Sequence, residues 1–298
     1  MAERVRFGLC SVLTVETTGR TLTGHALGSR KARTLLALLA SERGRLVPLD
    51  RVTEALWPTT APTDPAANVA TLVSRARRLL GGGVLTGNGA AYGVVPESCT
   101  VDVEEARDLG DEAKARLAAG EPALAAVAAR RALHLLGAPP ALADEPDVDW
   151  VIRVRRRIDE LRRETGHVLA AAVASTDPRE AAAVAAEAAE LDPYDERAVR
   201  DLMRAQVLQG SKAAALATYG ALVARLREEL GVDPSPATSR LHLPQIPTST
   251  AQSMPSSSMT ARVSPTKSRS PMSAGSVGRS EAPLPRGSIV TTRWCRDR

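Results

Sequence analysis

Residues 68–80 read NVATLVSRARRLL, and this stretch decides the fold. Val69, Leu72, Val73, Ala76 and Leu80 fall at i, i+3, i+4, i+7 and i+11, which is one face of an α-helix. Thr71, Ser74, Arg75 and Arg78 repeat that spacing on a second face, with Arg77 beside them, and no carboxylate neutralises the cations. Such a helix is either a solvated surface element or one that lies on a phosphate backbone and reads bases. Its neighbours in the chain choose between the two.

Upstream, VRFGL (5–9) and SVLTV (11–15) alternate as strands do, and TTGR (17–20) is a turn. RKARTLLALLASERG (30–44) predicts an amphipathic helix closed by Gly44. PLDRVTEALWP (48–58) predicts a shorter one stopped by Pro58, with TTAPTDPA as a loop. Downstream, VLTGNGAAYGVV (84–95) predicts a hairpin turning on Gly87, Asn88 and Gly89. Strands, three short helices and a hairpin, in that order, make a winged helix-turn-helix. Its third helix enters the major groove and its wing lies beside it on the backbone. The apolar stripe then packs on Leu35, Leu39, Val52 and Leu56, and the polar face points outward.

On that face Arg suits bidentate contact to guanine, and Thr or Ser bonds phosphate or a base edge. Arg30 and Lys31 open the first helix, where a cation opposes the helix dipole; a phosphate clamp accounts for them better than helix stability does. The predicted DNA-binding set is Arg30, Lys31, Thr71, Ser74, Arg75, Arg77 and Arg78, with Thr86, Asn88 and Tyr92 from the wing.

The remainder divides by charge. Residues 1–100 carry a net +5, residues 101–243 a net −6 and residues 244–298 a net +6. The middle is helical text, with candidate helices at 103–119, 122–136, 147–174, 178–190, 195–209 and 212–230, separated by Gly and Pro breakers. DPREAAAVAAEAAEL (177–191) matches QGSKAAALATYGALV (209–223) at an offset of 32, near the period of about 34 for tetratricopeptide helix pairs. Ala183, Ala215 and Gly220 are placed to let paired helices approach, and Tyr219 to act as a knob. From Pro244 onward Ser, Pro and Thr dominate without apolar period, which predicts disorder. The expected fold class is mainly α with a small α+β head: a winged helix-turn-helix over 1–100, a tetratricopeptide-like all-helical domain over 101–243, and a disordered Ser/Pro/Arg-rich tail over 244–298.

The chain is 44% hydrophobic but 2% aromatic, so its cores must be built from Ala, Leu and Val, which suits closely packed helices. Arg supplies 35 of the 39 basic residues, a bias that fits GC-rich coding and alone says little about nucleic acid. Cys10, Cys99 and Cys295 form no ligand spacing and no even disulfide framework, and no run is long enough for a signal peptide or a bilayer span; a cytoplasmic protein with no membrane contact is expected. His25, His134, His167 and His242 have no ligand at metal spacing, and no phosphate loop or nucleophile motif occurs. Neither a cofactor nor an enzyme activity is expected.

RKARTLLALLA, GRLVPLDRVTEALWP, VSRARRLL and the wing LTGNGAAYGVV resemble the OmpR-type DNA-binding domain of the Streptomyces antibiotic regulatory proteins (SARP). VDVEEARDL, DEPDVDWVIRVRRRIDELR and the run from AAELDPYDERAV to GVDPSP resemble the bacterial transcriptional activator domain that follows it there. The resemblance covers about residues 4–240. It implies an activator, often of antibiotic and other secondary-metabolite clusters, that binds direct repeats in double-stranded DNA near a promoter and contacts an RNA polymerase subunit. Self-association on adjacent repeats goes with it. The chain departs from the family at Leu72, at Ala90 and Ala91 before Tyr92, and after DPSPAT, where SRLHLPQIP replaces the usual closing helix. The competing expectation is a helical-repeat protein-interaction scaffold whose head no longer binds DNA.

Overall fold

The computed structural model describes residues 4–17 and 19–242. The tail expected to be disordered, 244–298, lies outside the described residues.

The head opens on β1 (Val5–Gly8), β2 (Thr14–Thr17) and β3 (Arg20–Thr23). Val5 and Phe7 point inward and Arg6 outward, as period-2 alternation requires. β1 pairs antiparallel with β2 through Phe7 and Val15, and β2 with β3 through Val15 and Leu22. The second strand starts at Thr14 rather than at Ser11. Residues 9–13 are gripped elsewhere: the Asp102 carboxylate accepts from Leu9 N at 2.9 Å and Cys10 N at 3.0 Å, and Asp144 accepts from Leu13 N at 3.2 Å. The sheet is completed by β7 (Cys99–Val101), parallel to β1, in the order β3-β2-β1-β7.

Between these strands lie α1 (Arg30–Ser41), β4 (Val47–Pro48), α2 (Leu49–Leu56), α3 (Pro65–Leu80), β5 (Leu85–Gly87) and β6 (Ala91–Val94). Ser29 caps α1 by accepting from Ala32 N. α3 begins three residues earlier than the apolar period alone predicts. Asp64 caps it through a 2.9 Å bond from Ala67 N, and Pro65 supplies the first helical residue without an amide to orphan. The second sheet has the order β4-β6-β5 and is the wing. Gly87 (φ +143°) is needed there, because a Cβ would come within 2.5 Å of Ala91 O and of the Tyr92 ring.

Then come α4 (Asp102–Ala118), α5 (Pro122–Leu136), α6 (Asp149–Val173), α7 (Pro178–Leu191), α8 (Glu196–Leu208), α9 (Lys212–Arg225), a π-helical turn (Leu226–Leu230) and α10 (Pro236–His242). Each of α4 to α8 packs on its successor, as in a tetratricopeptide array. Buried alanines make the contacts: Ala113, Ala125, Ala129, Ala172, Ala181 and Ala205 in one cluster. The repeat is clearer in three dimensions than in sequence. Ala181 and Ala188 of α7 are buried as Ala215 and Leu222 of α9 are, and the two helices start at 178 and 212, so the offset is 34 rather than 32. Ala183 and Gly220 face solvent instead of a partner helix, because they fall off the buried stripe. A closing helix is present as well: α10 sits on α8, with Arg200 Nη1 donating to Thr238 Oγ1 at 2.9 Å and Ser235 N donating to Glu196 Oε2 at 2.9 Å.

Val5, Phe7 and Val15 of the sheet, Leu35 and Leu39 of α1, and Val69 and Val73 of α3 share one continuous apolar core with Leu136, Leu142, Val151 and Ile158. Thr34 of α1 reaches the loop before α6 directly, its Oγ1 lying 2.9 Å from Glu145 Oε2.

Candidate nucleic-acid interface

The stripe of α3 is buried as its period requires: Val69, Leu72, Val73, Ala76 and Leu80 are all at or below 9% exposure. Leu35, Leu39, Val52 and Leu56 lie in the same core, so α1 and α2 form the seat of α3. That seating turns Asn68, Thr71, Ser74, Arg75 and Arg78 to solvent. Thr71 donates back to Ala67 O at 2.9 Å, which leaves its lone pairs outward. Ser74, Arg75 and Arg78 have no side-chain hydrogen bond or ion pair within the described residues. Exposed guanidiniums without carboxylates are free to take an external acceptor.

Arg77 sits between the two faces. Its Nε donates to Leu85 O at 3.2 Å and its Nη2 to Gly87 O at 3.3 Å. It therefore ties α3 to the wing strand β5. Thr86 and Asn88 are exposed on the wing, where Asn88 Oδ1 accepts from Ala90 N at 3.1 Å and shapes the turn. Tyr92 departs from the expected surface role. It is 4% exposed, because β6 places it on the inner face opposite Val47, so it anchors the wing root and offers no side chain to a ligand.

Arg30 and Lys31 are exposed at the first turn of α1. Lys31 Nζ stands 4.3 Å from the centroid of the Trp57 ring. Lys31, Trp57, Ser29, Asn68, Thr71 and Arg75 line one open groove of about 360 Å³ between α1 and α3. Trp57 and Asn68 were not among the predicted site residues. Asn68 lies three residues before Thr71 and seven before Arg75, so the helical period already carried it. Trp57 follows α2, and only the fold brings it beneath Lys31.

In the helical part, His167 is 4% exposed, with Nε2 2.9 Å from Asp195 Oδ2 and Nδ1 3.2 Å from Asp201 Oδ2. Burial opposes ionisation of Asp195, but the amides of Ala198 and Arg197 and the His167 ring outweigh it and hold its pKa below the ordinary carboxylate value. Burial pushes the Glu145 carboxyl up, only partly offset by the Thr34 hydroxyl. Among the described residues no group of His, Cys, Asp and Glu is arranged to hold a metal ion, and no helix is long and apolar enough to cross a membrane.

Residues 101–244 match the model of the bacterial transcriptional activator domain. The chain is 32% identical over 217 residues to regulatory protein AfsR of Streptomyces griseus, covering 72% of this chain and 22% of that one. It is 29% identical over 248 residues to transcriptional regulatory protein EmbR of Mycobacterium tuberculosis, covering 80% and 63%. A solved structure of Mycobacterium tuberculosis EmbR, in complex with a low-affinity phosphopeptide, superposes with a TM-score of 0.71 at 26% identity, over 80% of this chain and 64% of that one. The chain thus spans about a fifth of AfsR and under two thirds of EmbR. The fold and these likenesses define a winged-helix protein with a helical activator-type domain. The chain is thus similar to AfsR and EmbR, and its helical part to the bacterial transcriptional activator domain.

Proposed function

We propose that this chain is a sequence-specific transcriptional regulator that binds double-stranded DNA with α3 in the major groove and the wing on the adjacent backbone. One observation carries the reading: the outward face of α3 presents Thr71, Ser74, Arg75 and Arg78, with the three last unpaired among the described residues, beside Arg30 and Lys31. A face of cations and hydroxyls on a helix seated by two others suits phosphate and base-edge contact. In this reading Arg75 reads a base edge, Arg30 and Lys31 hold phosphates, and Arg77 holds the wing in place.

The chain acts as a cytoplasmic activator of a secondary-metabolite cluster, binds direct repeats near a promoter, and works without catalysis. The helical part, with its net −6, meets an RNA polymerase subunit through a basic surface and touches a neighbouring copy on the next repeat. The regulatory names of the relatives and the match to the activator domain support this reading. The test is a footprint on the promoters flanking the gene, followed by transcription with purified polymerase. The full chain should protect a repeated site and raise transcript from it, and the Arg75→Ala, Arg78→Ala double variant should do neither. Transcription raised equally by that variant would overturn the reading.

A further inference from the structure

Resting on the DNA-binding reading above, we propose that Trp57 is a positioning residue of the interface: it holds the Lys31 ammonium in place over its ring, so that Lys31 is preset to take a backbone phosphate beside the base-reading Arg75. Three features meet here. Lys31 Nζ lies 4.3 Å from the Trp57 centroid, within the range in which a cation is attracted to the ring face. Lys31 has no carboxylate partner among the described residues, so the indole is what fixes it. The same ring, Lys31, Arg75 and the Ser29 hydroxyl line the groove between α1 and α3.

The ring itself is well fixed. Trp57 N donates to Thr53 O at 2.9 Å at the end of α2, and the side chain packs against the head's core. A free lysine gives up rotamer freedom when it takes a phosphate. A lysine already resting on an indole has given up part of it beforehand, and it keeps its charge and its three donors. Lys31 and Arg75 line the same groove, and no carboxylate is among its lining residues.

The experiment is a double-mutant cycle on the full chain, with a labelled random-sequence duplex as probe at fixed low salt and melting temperatures recorded for each variant. Trp57→Leu should weaken binding about two- to fivefold, the worth of an exposed cation–π contact. In a Lys31→Ala background the same change should cost nothing further. Trp57→Phe keeps a ring and the fold. It should lose a smaller share, again only when Lys31 is present, so the test survives if the leucine variant melts early. Equal losses in both backgrounds, or none in either, would overturn the inference while leaving DNA binding standing. Failure of the unsubstituted chain to bind the duplex would bring down both.

Discussion

Arg77 donates from Nε to Leu85 O at 3.2 Å, which ties the recognition helix to the wing by a side chain that the sequence pattern places with the DNA contacts. Arg77→Ala should therefore act through geometry. The wing loses two bonds to α3, affinity falls, and the salt dependence of binding stays as in the parent, because no phosphate contact is removed. Arg77→Lys should not rescue it, since a single ammonium cannot span both Leu85 O and Gly87 O as the guanidinium fork does. A drop of about one unit in the salt slope for Arg77→Ala would instead make it a phosphate ligand.

Arg75 and Arg30 should separate by specificity. Arg75→Ala is expected to cost about 1–3 kcal/mol on the preferred site and far less on random duplex, because it faces base edges. Arg30→Ala should weaken both duplexes alike. Binding curves on the two probes decide, and equal losses from both variants on both probes would contradict the assigned roles.

Asp102 fastens the first strand to the helical part. Its carboxylate takes the amides of Leu9 and Cys10, all within buried surroundings. Asp102→Ala leaves buried donors unmet, at about 1–3 kcal/mol. Urea unfolding should show a lower midpoint with an unchanged slope. A fragment ending at residue 100 loses this carboxylate, cuts β7 before Val101 and bares the core shared with Leu136 and Ile158, so it should melt well below the full chain.

Two carboxyls should move stability with pH in opposite senses. Asp195 has a depressed folded pKa, so its contribution is present above its unfolded value and is lost as pH falls through the folded one. Asp195→Ala also removes the cap of α8, about 0.5–2 kcal/mol at pH 7, and the gap to the parent should narrow in acid. Glu145 has a raised folded pKa, so its ionised form costs stability as pH climbs through that value. Glu145→Gln should abolish this second dependence. Thermal melts of the parent and both variants from about pH 2 to 8 check the signs, and parallel curves would refute the assignments.

Much of this was legible from periodicity. The stripe from Val69 to Leu80 and the breaker-bounded helices from 102 onward follow rules that act within a few residues. Asp64 and Pro65 also carry a local signal for the start of α3, a cap and a first-turn proline, but it sits inside the loop-like TTAPTDPA. The short strands β3 and β7 were not legible. RTLT and CTV carry almost no local signal, and their pairing with β2 and β1 is decided across the fold. The burial of Tyr92 is not legible for a related reason: the period-2 rule gives two faces but not which one the core takes. The His167–Asp195–Asp201 contact joins residues 28 and 34 positions apart, and it exists only because α6 and α8 pack together.

The central claim is that the head meets phosphates with the cations it leaves exposed. Its most direct test is the affinity of the full chain for duplex DNA measured across a salt series. With about five phosphates neutralised, log K against log salt should fall with a slope of about −4 to −5. A slope near zero, or no binding at low salt, would contradict it.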